Sequence, residues 1–116
     1  MDFKMHATAA QIDLRRSISE AVESAELTLF EAWDDLDALS THTLLEQMEV
    51  DEAGIIFADD DSFRGTVNFY VLLQYGRDLE EGFVESDSYS GSFEGRLTDG
   101  GVVIDSIRAD TSSFYE

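Results

Sequence analysis

Three consecutive carboxylates, Asp59, Asp60 and Asp61, are the residues of this chain whose spacing first suggests chemistry. Carboxylate oxygens are the ligands that Ca²⁺ and Mg²⁺ prefer in proteins. The run does not match an EF-hand loop, because the sixth residue counted from Asp59 is Arg64 instead of glycine and the twelfth is Tyr70 instead of glutamate. We therefore predict a hydrated turn between two strands and no metal site, with a weak Ca²⁺ or Mg²⁺ contact as the alternative.

Other catalytic patterns are missing from the sequence. Neither His6 nor His42 belongs to a ligand pair such as H-x-x-x-H, and the chain has no cysteine. The stretch GSFEG at 91–95 is not a nucleophile elbow, and no phosphate-binding glycine loop occurs. Acidic residues are so abundant that no single pair of carboxylates is informative. We predict that the protein is not an enzyme and uses no cofactor.

Charge is the strongest property of the whole sequence. Twenty-six acidic residues face seven basic ones among 116 residues, which gives a formal net charge of −19. The two halves, 1–58 and 59–116, carry 13 acidic residues each, so the charge is spread over the domain. Such a field repels nucleic acids and anionic membranes and attracts basic protein surfaces. Three explanations stay open: adaptation to a high-salt cytoplasm, solubility alone, or imitation of a polyanion.

The N-terminal third carries the signals of a helix. Thr8 and Gln11 fit a capping box, and apolar residues then recur at three- and four-residue steps. We predict one long amphipathic helix over about residues 8–39. Its apolar stripe would consist of Leu14, Ile18, Ala21, Val22, Ala25, Leu29, Ala32, Trp33 and Leu36.

Leu27 and Phe30 do not fit that stripe, since a continuous helix would place both on its acidic side. Another part of the fold covers them, or they mark a break in the helix, or they form an exposed contact patch. An apolar pair ringed by carboxylates suits the centre of a partner interface. Of these alternatives we favour burial within the monomer.

The rest of the chain predicts an antiparallel sheet. Alternation with a period of two runs through residues 64–75 and again through 88–97, and Asp99-Gly100-Gly101 is a strong hairpin signal before the strand at 102–109. Residues 43–50 suit a strand better than a helix because a turn at 51–54 follows them. Glycines on the apolar face of 88–97 indicate that the helix or a large aromatic ring packs close to the sheet. We predict a single α+β domain over 1–116, with the long helix packed on a meander of about four strands at about 43–115.

The tracts FRGTVNFYVLLQYG (63–76), SDSYSGSFEG (86–95) and IDSIRADTSSFYE (104–116) together resemble a β-rich module at the C-terminal end of some bacterial PIN-like nuclease proteins. In that family the catalytic acids lie in a separate upstream α/β domain. The residues before Phe63 are too few for such a domain, so no nuclease residue is carried over. The resemblance implies a relative of an accessory module from bacterial conflict systems.

From these observations we predict a small acidic, cytoplasmic interaction protein that binds a basic site on a bacterial protein, for example a nucleic-acid-binding one. In its sharpest form it is a phage or mobile-element inhibitor that mimics nucleic acid, as anti-CRISPR and anti-restriction proteins do. The alternative is an antitoxin, immunity or accessory module that binds through its sheet. We expect no direct contact with nucleic acid or membrane, and the sequence leaves the oligomeric state open. The predicted partner-binding residues are Glu20, Glu23, Leu27, Phe30, Glu31, Asp34, Asp35 and Asp37, with Asp59, Asp60, Asp61, Tyr70 and Tyr89 as secondary candidates.

Overall fold

Two helices cover one face of a five-stranded antiparallel sheet in the computed structural model of the chain. The structure describes residues 9–40, 42–58, 60–76 and 83–115, with side chains from residue 13 onward except at position 83. The predicted α+β class is therefore confirmed. The helices are α1 (Ala9–Glu23) and α2 (Glu31–Asp37), and the strands are β1 (His42–Val50), β2 (Ile56–Phe57), β3 (Ser62–Tyr75), β4 (Phe83–Thr98) and β5 (Gly101–Ala109).

The prediction of one long helix over 8–39 is wrong. α1 ends at Glu23, and a short 3₁₀ turn at Leu27–Leu29 separates it from α2. A continuous helix would carry Leu27 roughly 140° around the axis from Val22, away from the core. The break instead turns Leu27 inward, where it is only 4% exposed, while Leu29 of the predicted stripe is 75% exposed.

The end of α1 is fixed by a side chain that competes with the helix. The hydroxyl of Ser24 donates a hydrogen bond to the Glu20 carbonyl oxygen at 2.7 Å, the same oxygen that accepts the Ser24 amide at 3.0 Å. Serine side chains that bond to a carbonyl of the preceding turn favour the ends of helices over their interiors. The first segment of the apolar stripe therefore stops here, and a second begins with α2.

The sheet follows the predicted meander, with one addition. Its order is β1-β3-β4-β5, and β2 pairs with β3 beyond the end of β1, so β1 and β2 lie along the same edge of β3. The predicted strand at 43–50 is confirmed as β1. Among the described residues, the expected count of about four strands becomes five because the two-residue β2 pairs with β3 at Arg64 and Phe63.

Glycines and phenylalanines on the covered face of the sheet fit together. Gly65 lies opposite Phe93, and Gly95 lies opposite Phe63, in the pairing of β3 with β4. A Cβ atom at Gly65 would come within 2.5 Å of the Phe93 ring, and one at Gly95 within 2.6 Å of the Phe63 ring. The predicted close approach of a large aromatic is therefore confirmed, and each ring fills the space left by a missing side chain.

Side chains that alternate along β3 and β4 bury one face of the sheet under the helices. The core combines these with apolar residues of α1, α2 and the turn between them. Its fully buried large side chains are Phe69, Phe93, Ile18, Leu36, Leu73, Ile107, Val22, Val67 and Val71.

Polar contacts hold α1 against the sheet and the turn that follows β1. The Arg15 guanidinium of α1 donates to the carbonyl oxygens of Glu52 and Ile55, at 3.1 and 2.7 Å, and lies 5.2 Å from the centre of the Phe57 ring. Glu23 at the end of α1 accepts the Val50 amide at 3.0 Å.

None of the helices in the described ranges combines the length and apolar character that a bilayer crossing requires.

Candidate functional site

The face of the sheet opposite the helices, called the outer face here, carries apolar side chains at one end. Leu44 and Leu72 are partners across β1 and β3, and Val84 of β4 lies opposite Gln74 of β3 on the same face. Leu44 is 49% exposed and Val84 is 48% exposed. Leu44, Tyr70, Leu72 and Val84 form what we call the outer patch.

Tyr70 and Tyr89, both secondary candidates, lie on opposite faces of the sheet. Tyr70 belongs to the outer patch, is half-buried, and donates a hydrogen bond to Glu49 at 3.3 Å. Tyr89 is only 4% exposed, because its position in β4 points into the helix-covered face. Tyr89 is therefore a core residue in this structure and offers no surface to a partner, whereas Tyr70 does.

Beyond Tyr89 the strand β4 carries two acidic side chains on the covered face, Glu85 and Asp87, and both are exposed. The Tyr89 hydroxyl donates to Asp87 at 2.9 Å. Burial raises the pKa of the Tyr89 hydroxyl well above its usual range, and the hydrogen bond to Asp87 adds to the effect. Burial also raises the pKa of Tyr75, with the charges of Glu85 and Asp87 as further causes. The end of the β3–β4 pair that includes Tyr75, Glu85 and Asp87 is thus negatively charged.

The acidic run lies in the turn between β2 and β3. Asp60 accepts hydrogen bonds from both the amide and the hydroxyl of Ser62, and these bonds lower the pKa of its carboxyl group. Asp61 adopts a left-handed conformation with φ of 66°, which aspartate tolerates in turns. Asp59 lies outside the described residues. The two described aspartates therefore have the conformations and contacts that the turn interpretation predicts.

The predicted acidic surface on the second helical segment is exposed. Asp34, Asp35 and Asp37 of α2 all face solvent. Glu31 is also exposed, and its carboxylate lies 3.5 Å from Arg108 of β5. Three acidic side chains of this short helix are therefore free of ion pairs with the residues that the structure describes.

The remaining candidate residues differ in their exposure and contacts. Glu20 is exposed on α1, whereas Glu23 uses a carboxylate oxygen to hold the end of β1. Leu27 is buried, as our preferred alternative for it states, and Phe30 is half-buried against the core. The exposed apolar residue next to the α2 acids is instead Leu29.

A cavity of about 510 Å³ opens beside the turn between β2 and β3. Arg64, Glu94 and Asp105 line it together with the exposed Ile56. Arg96 neutralises Asp105 at 3.0 Å. The size is within the range of ligand pockets, roughly 300–1,000 Å³, but opposite charges face the cavity and favour neither an anion nor a cation. Within the described ranges, no three histidine, aspartate or glutamate side chains gather where they could hold a metal ion.

Sequence reasoning missed three members of the outer patch, Leu44, Leu72 and Val84. Leu72 carries a readable signal, since its apolar side chain stands on the polar side of an otherwise alternating strand. Leu44 gives none, because it shares the period-two pattern of the buried Met48 and Val50, and only the bulge between Leu45 and Gln47 turns it to the outer face.

Comparison with protein families decides the relationship of the chain. The family model described as predicted pPIWI-associating nuclease matches residues 7–115. The chain belongs to this family. The match confirms the resemblance to a nuclease-linked family and extends it from 63–116 to nearly the whole chain. No curated protein and no solved structure gives a significant match.

Proposed function

We propose that this chain is an accessory protein of a prokaryotic conflict system that binds a partner protein through the outer face of its sheet and does not itself cleave nucleic acid. The outer patch is the observation that carries the proposal. Leu44, Leu72 and Val84 form apolar surface on a sheet face that no described helix or loop covers. Apolar residues gathered on a surface, with polar residues around them, are typical of protein interaction sites.

Charge indicates the chemistry of the partner. The acidic Glu49 stands beside Tyr70 within the outer face, and Glu85 and Asp87 lie at the same end of the sheet. A protein of net charge −19 attracts a basic surface from a distance and repels an acidic one. We infer a partner whose contact surface is apolar at its centre and carries lysine or arginine at its rim.

The family description supplies a concrete candidate. The family is described as predicted pPIWI-associating nuclease, so a pPIWI protein is the probe we choose. The same description uses the word nuclease. Binding, and not cleavage, is our proposal because the outer patch is suited to a protein surface and the net charge of −19 opposes approach of a polyanion.

The experiment is calorimetric titration of the full chain with the purified pPIWI protein. We expect a complex, and we expect Leu44→Asp to weaken it by at least about tenfold, the scale of a buried apolar contact at the centre of an interface. Leu29→Asp is the matched control, since Leu29 is 75% exposed and lies in the turn before α2. This control should bind like the wild type.

Three results would contradict the proposal. The first is absence of binding at about 100 μM pPIWI protein, a concentration at which even weak specific complexes form. The second is equal binding by Leu44→Asp and wild type after thermal melts show both to be folded. The third is cleavage of DNA or RNA by the purified chain with Mg²⁺ or Mn²⁺, which would make it the nuclease that its family description names.

The exposed acidic surface of α2 favours a second candidate, binding of a basic site by imitation of nucleic acid. Asp34 and Asp35 are exposed on this helix, and Leu29 and the half-buried Phe30 supply apolar surface beside them. Reversing the charge of Glu31, Asp34 and Asp35 to lysine separates the two candidates. Loss of pPIWI binding and of its salt dependence in this variant, with Leu44→Asp unaffected, would support mimicry over the sheet interface.

A further inference from the structure

Before Gly91, β4 pairs with a strand on only one side among the residues that the structure describes. β5 pairs with β4 over Gly91–Thr98, and β3 pairs with it over the whole length from Phe83. Within the described ranges, no strand lies against the other edge of β4 before Gly91. Strand edges of this kind present backbone groups to which another chain can pair.

The hydrogen bonds around β4 show which residues point to the open edge. The Ser90 carbonyl oxygen accepts the Asp110 amide at 2.8 Å on the β5 side. The Leu97 amide donates to the backbone carbonyl oxygen of Asp61 at 2.8 Å on the β3 side. Both groups of a residue in an antiparallel strand point the same way, and successive residues alternate. Val84, Ser86 and Ser88 therefore direct their amides and carbonyls away from β3, towards the open edge.

The other strand edges carry irregularities that hinder pairing. β1 has a bulge between Leu45 and Gln47, and β5 has one opposite Glu94 and Gly95. Bulges are among the devices by which sheets protect their edges. β3 and β4 pair without a register shift, so the open edge of β4 is regular.

One acidic side chain covers part of this edge. Asp87 accepts the Ser88 amide at 2.8 Å with one oxygen and the Tyr89 hydroxyl at 2.9 Å with the other. This occupies the Ser88 amide, while Val84 and Ser86 have no hydrogen bond to a described residue on this side. The open edge thus offers two amides, in register for a neighbouring strand, that have no partner among the residues the structure describes.

We propose that the open edge of β4 at Val84–Ser88 accepts an extended segment of a partner protein as an added strand. The segment would continue the line of β5 and pair with the backbone of Val84 and Ser86, a recognised mode of peptide binding. This inference deepens the proposed function and rests on its claim that the partner is a protein. The edge borders the outer patch at Val84, so one partner could contact both.

The chemistry of the edge specifies the segment. On one face of β4 the added strand would meet Glu85 and Asp87, and on the other it would meet Val84, Ser86 and Ser88. Opposite charges on neighbouring strands stabilise pairing, and like charges destabilise it. The segment therefore alternates lysine or arginine with aliphatic residues.

The same rule disfavours a second copy of this chain as the occupant. Two β4 edges paired antiparallel would bring Glu85 and Asp87 of one copy against the same acidic residues of the other. Each copy also carries a net charge of −19. Like charges in this arrangement oppose association.

The test measures amide hydrogen exchange in the full chain by NMR, with synthetic peptides as probes. A seven-residue peptide alternating lysine and valine should slow exchange at Val84 and Ser86 by on the order of tenfold at millimolar concentration. A peptide alternating glutamate and valine is the charge control and should leave both amides unchanged. Unchanged exchange with both peptides, or equal slowing by both, would overturn the inference.

Two variants at one position separate backbone pairing from side-chain contact. Ser86→Pro removes the outward amide, while Ser86→Ala removes the hydroxyl and keeps the amide. We expect Ser86→Pro to abolish protection of Val84 by the lysine–valine peptide and Ser86→Ala to retain it. If circular dichroism shows Ser86→Pro to be unfolded, exchange in the wild-type chain decides alone.

The outcomes distinguish this inference from the proposed function. Binding of the pPIWI protein that depends on Leu44, with no exchange response to the lysine–valine peptide, would leave the outer-face interface and remove the added strand. Slowed exchange with the lysine–valine peptide, without any binding of the pPIWI protein, would leave the added strand and remove the outer-face interface with pPIWI. Slowed exchange that rises with the concentration of the chain alone would identify a second copy as the occupant and overturn the inference.

Discussion

Replacement of Arg15 by alanine should reveal how the first helix is held to the sheet. One guanidinium nitrogen donates to three carbonyl oxygens of the turn after β1, those of Glu52, Ala53 and Ile55, at 3.1, 3.3 and 2.7 Å. The guanidinium also lies 5.2 Å from the centre of the Phe57 ring. Arg15→Ala removes both contacts and leaves the three carbonyls to water.

The magnitude follows from these distances. A single nitrogen cannot form three full hydrogen bonds, so we count one strong charged bond, worth about 1.5–3 kcal/mol. The contact with the ring adds about 0.5–1 kcal/mol at a half-exposed site. Because Arg15 is only half-buried, we expect Arg15→Ala to lower the free energy of unfolding by about 2–3 kcal/mol. A domain of this size has roughly 5–15 kcal/mol in total, so the variant should still fold.

Urea denaturation followed by circular dichroism measures this change, and the neighbouring residue supplies the control. Arg16 is exposed and makes no hydrogen bond or ion pair with a described residue, so Arg16→Ala removes the same charge without the contacts. We expect its effect to stay within about 0.5 kcal/mol. Arg15→Lys should lie between the two, since lysine keeps a charged donor and loses the planar group. Equal stability of Arg15→Ala and Arg16→Ala would show that the contacts of Arg15 do not stabilise the fold.

Two further predictions concern the sheet. Gly95→Ala should destabilise the fold by about 1–3 kcal/mol in a urea titration, because the new methyl group would lie 2.6 Å from the Phe63 ring and against the Val103 carbonyl. Gly100→Ala is the control: its nearest neighbour would lie at 3.8 Å, so it should lower the stability by less than about 0.5 kcal/mol. Comparable losses in the two variants would contradict this packing. Stability should fall as pH rises above about 10, because the raised pKa of Tyr89 makes the folded state bind more protons than the unfolded one, and Tyr89→Phe should flatten that decline. An unchanged alkaline slope in the variant would refute the second prediction.

The sheet was predictable from the sequence because its determinants are local. Period-two alternation fixes which face of β3 and β4 is buried, and Asp99-Gly100-Gly101 fixes the hairpin into β5. For Gly95, the sequence predicted only that the helix or a large aromatic ring packs close to the glycines of this strand; it did not identify the ring as that of Phe63. Which ring fills which gap depends on register, and register emerges only when both strands are placed side by side.

The helical region was harder, for a physical reason that Leu27 illustrates. The three- and four-residue period holds on both sides of the break, so the pattern alone favours one helix. Burial of Leu27 requires the chain to change direction after α1. The free energy gained by burying this side chain offsets the cost of breaking the helix only when the sheet is present to pack against it. Leu29 is exposed as a consequence. Such a tertiary effect cannot be read from a window of sequence.

The acidic residues also take on roles that their number does not reveal. Glu23 holds the end of β1, Asp60 shapes a turn, and Asp87 occupies the Ser88 amide at the open edge of β4. Each of these carboxylates accepts hydrogen bonds from its own chain, so it serves the fold besides contributing to the net charge. Asp87 links the two roles, because an added strand must compete for the Ser88 amide while its basic residues are attracted to the same carboxylate. The edge is thus closed to neutral strands more effectively than to basic ones, which is a source of specificity that net charge alone would not provide.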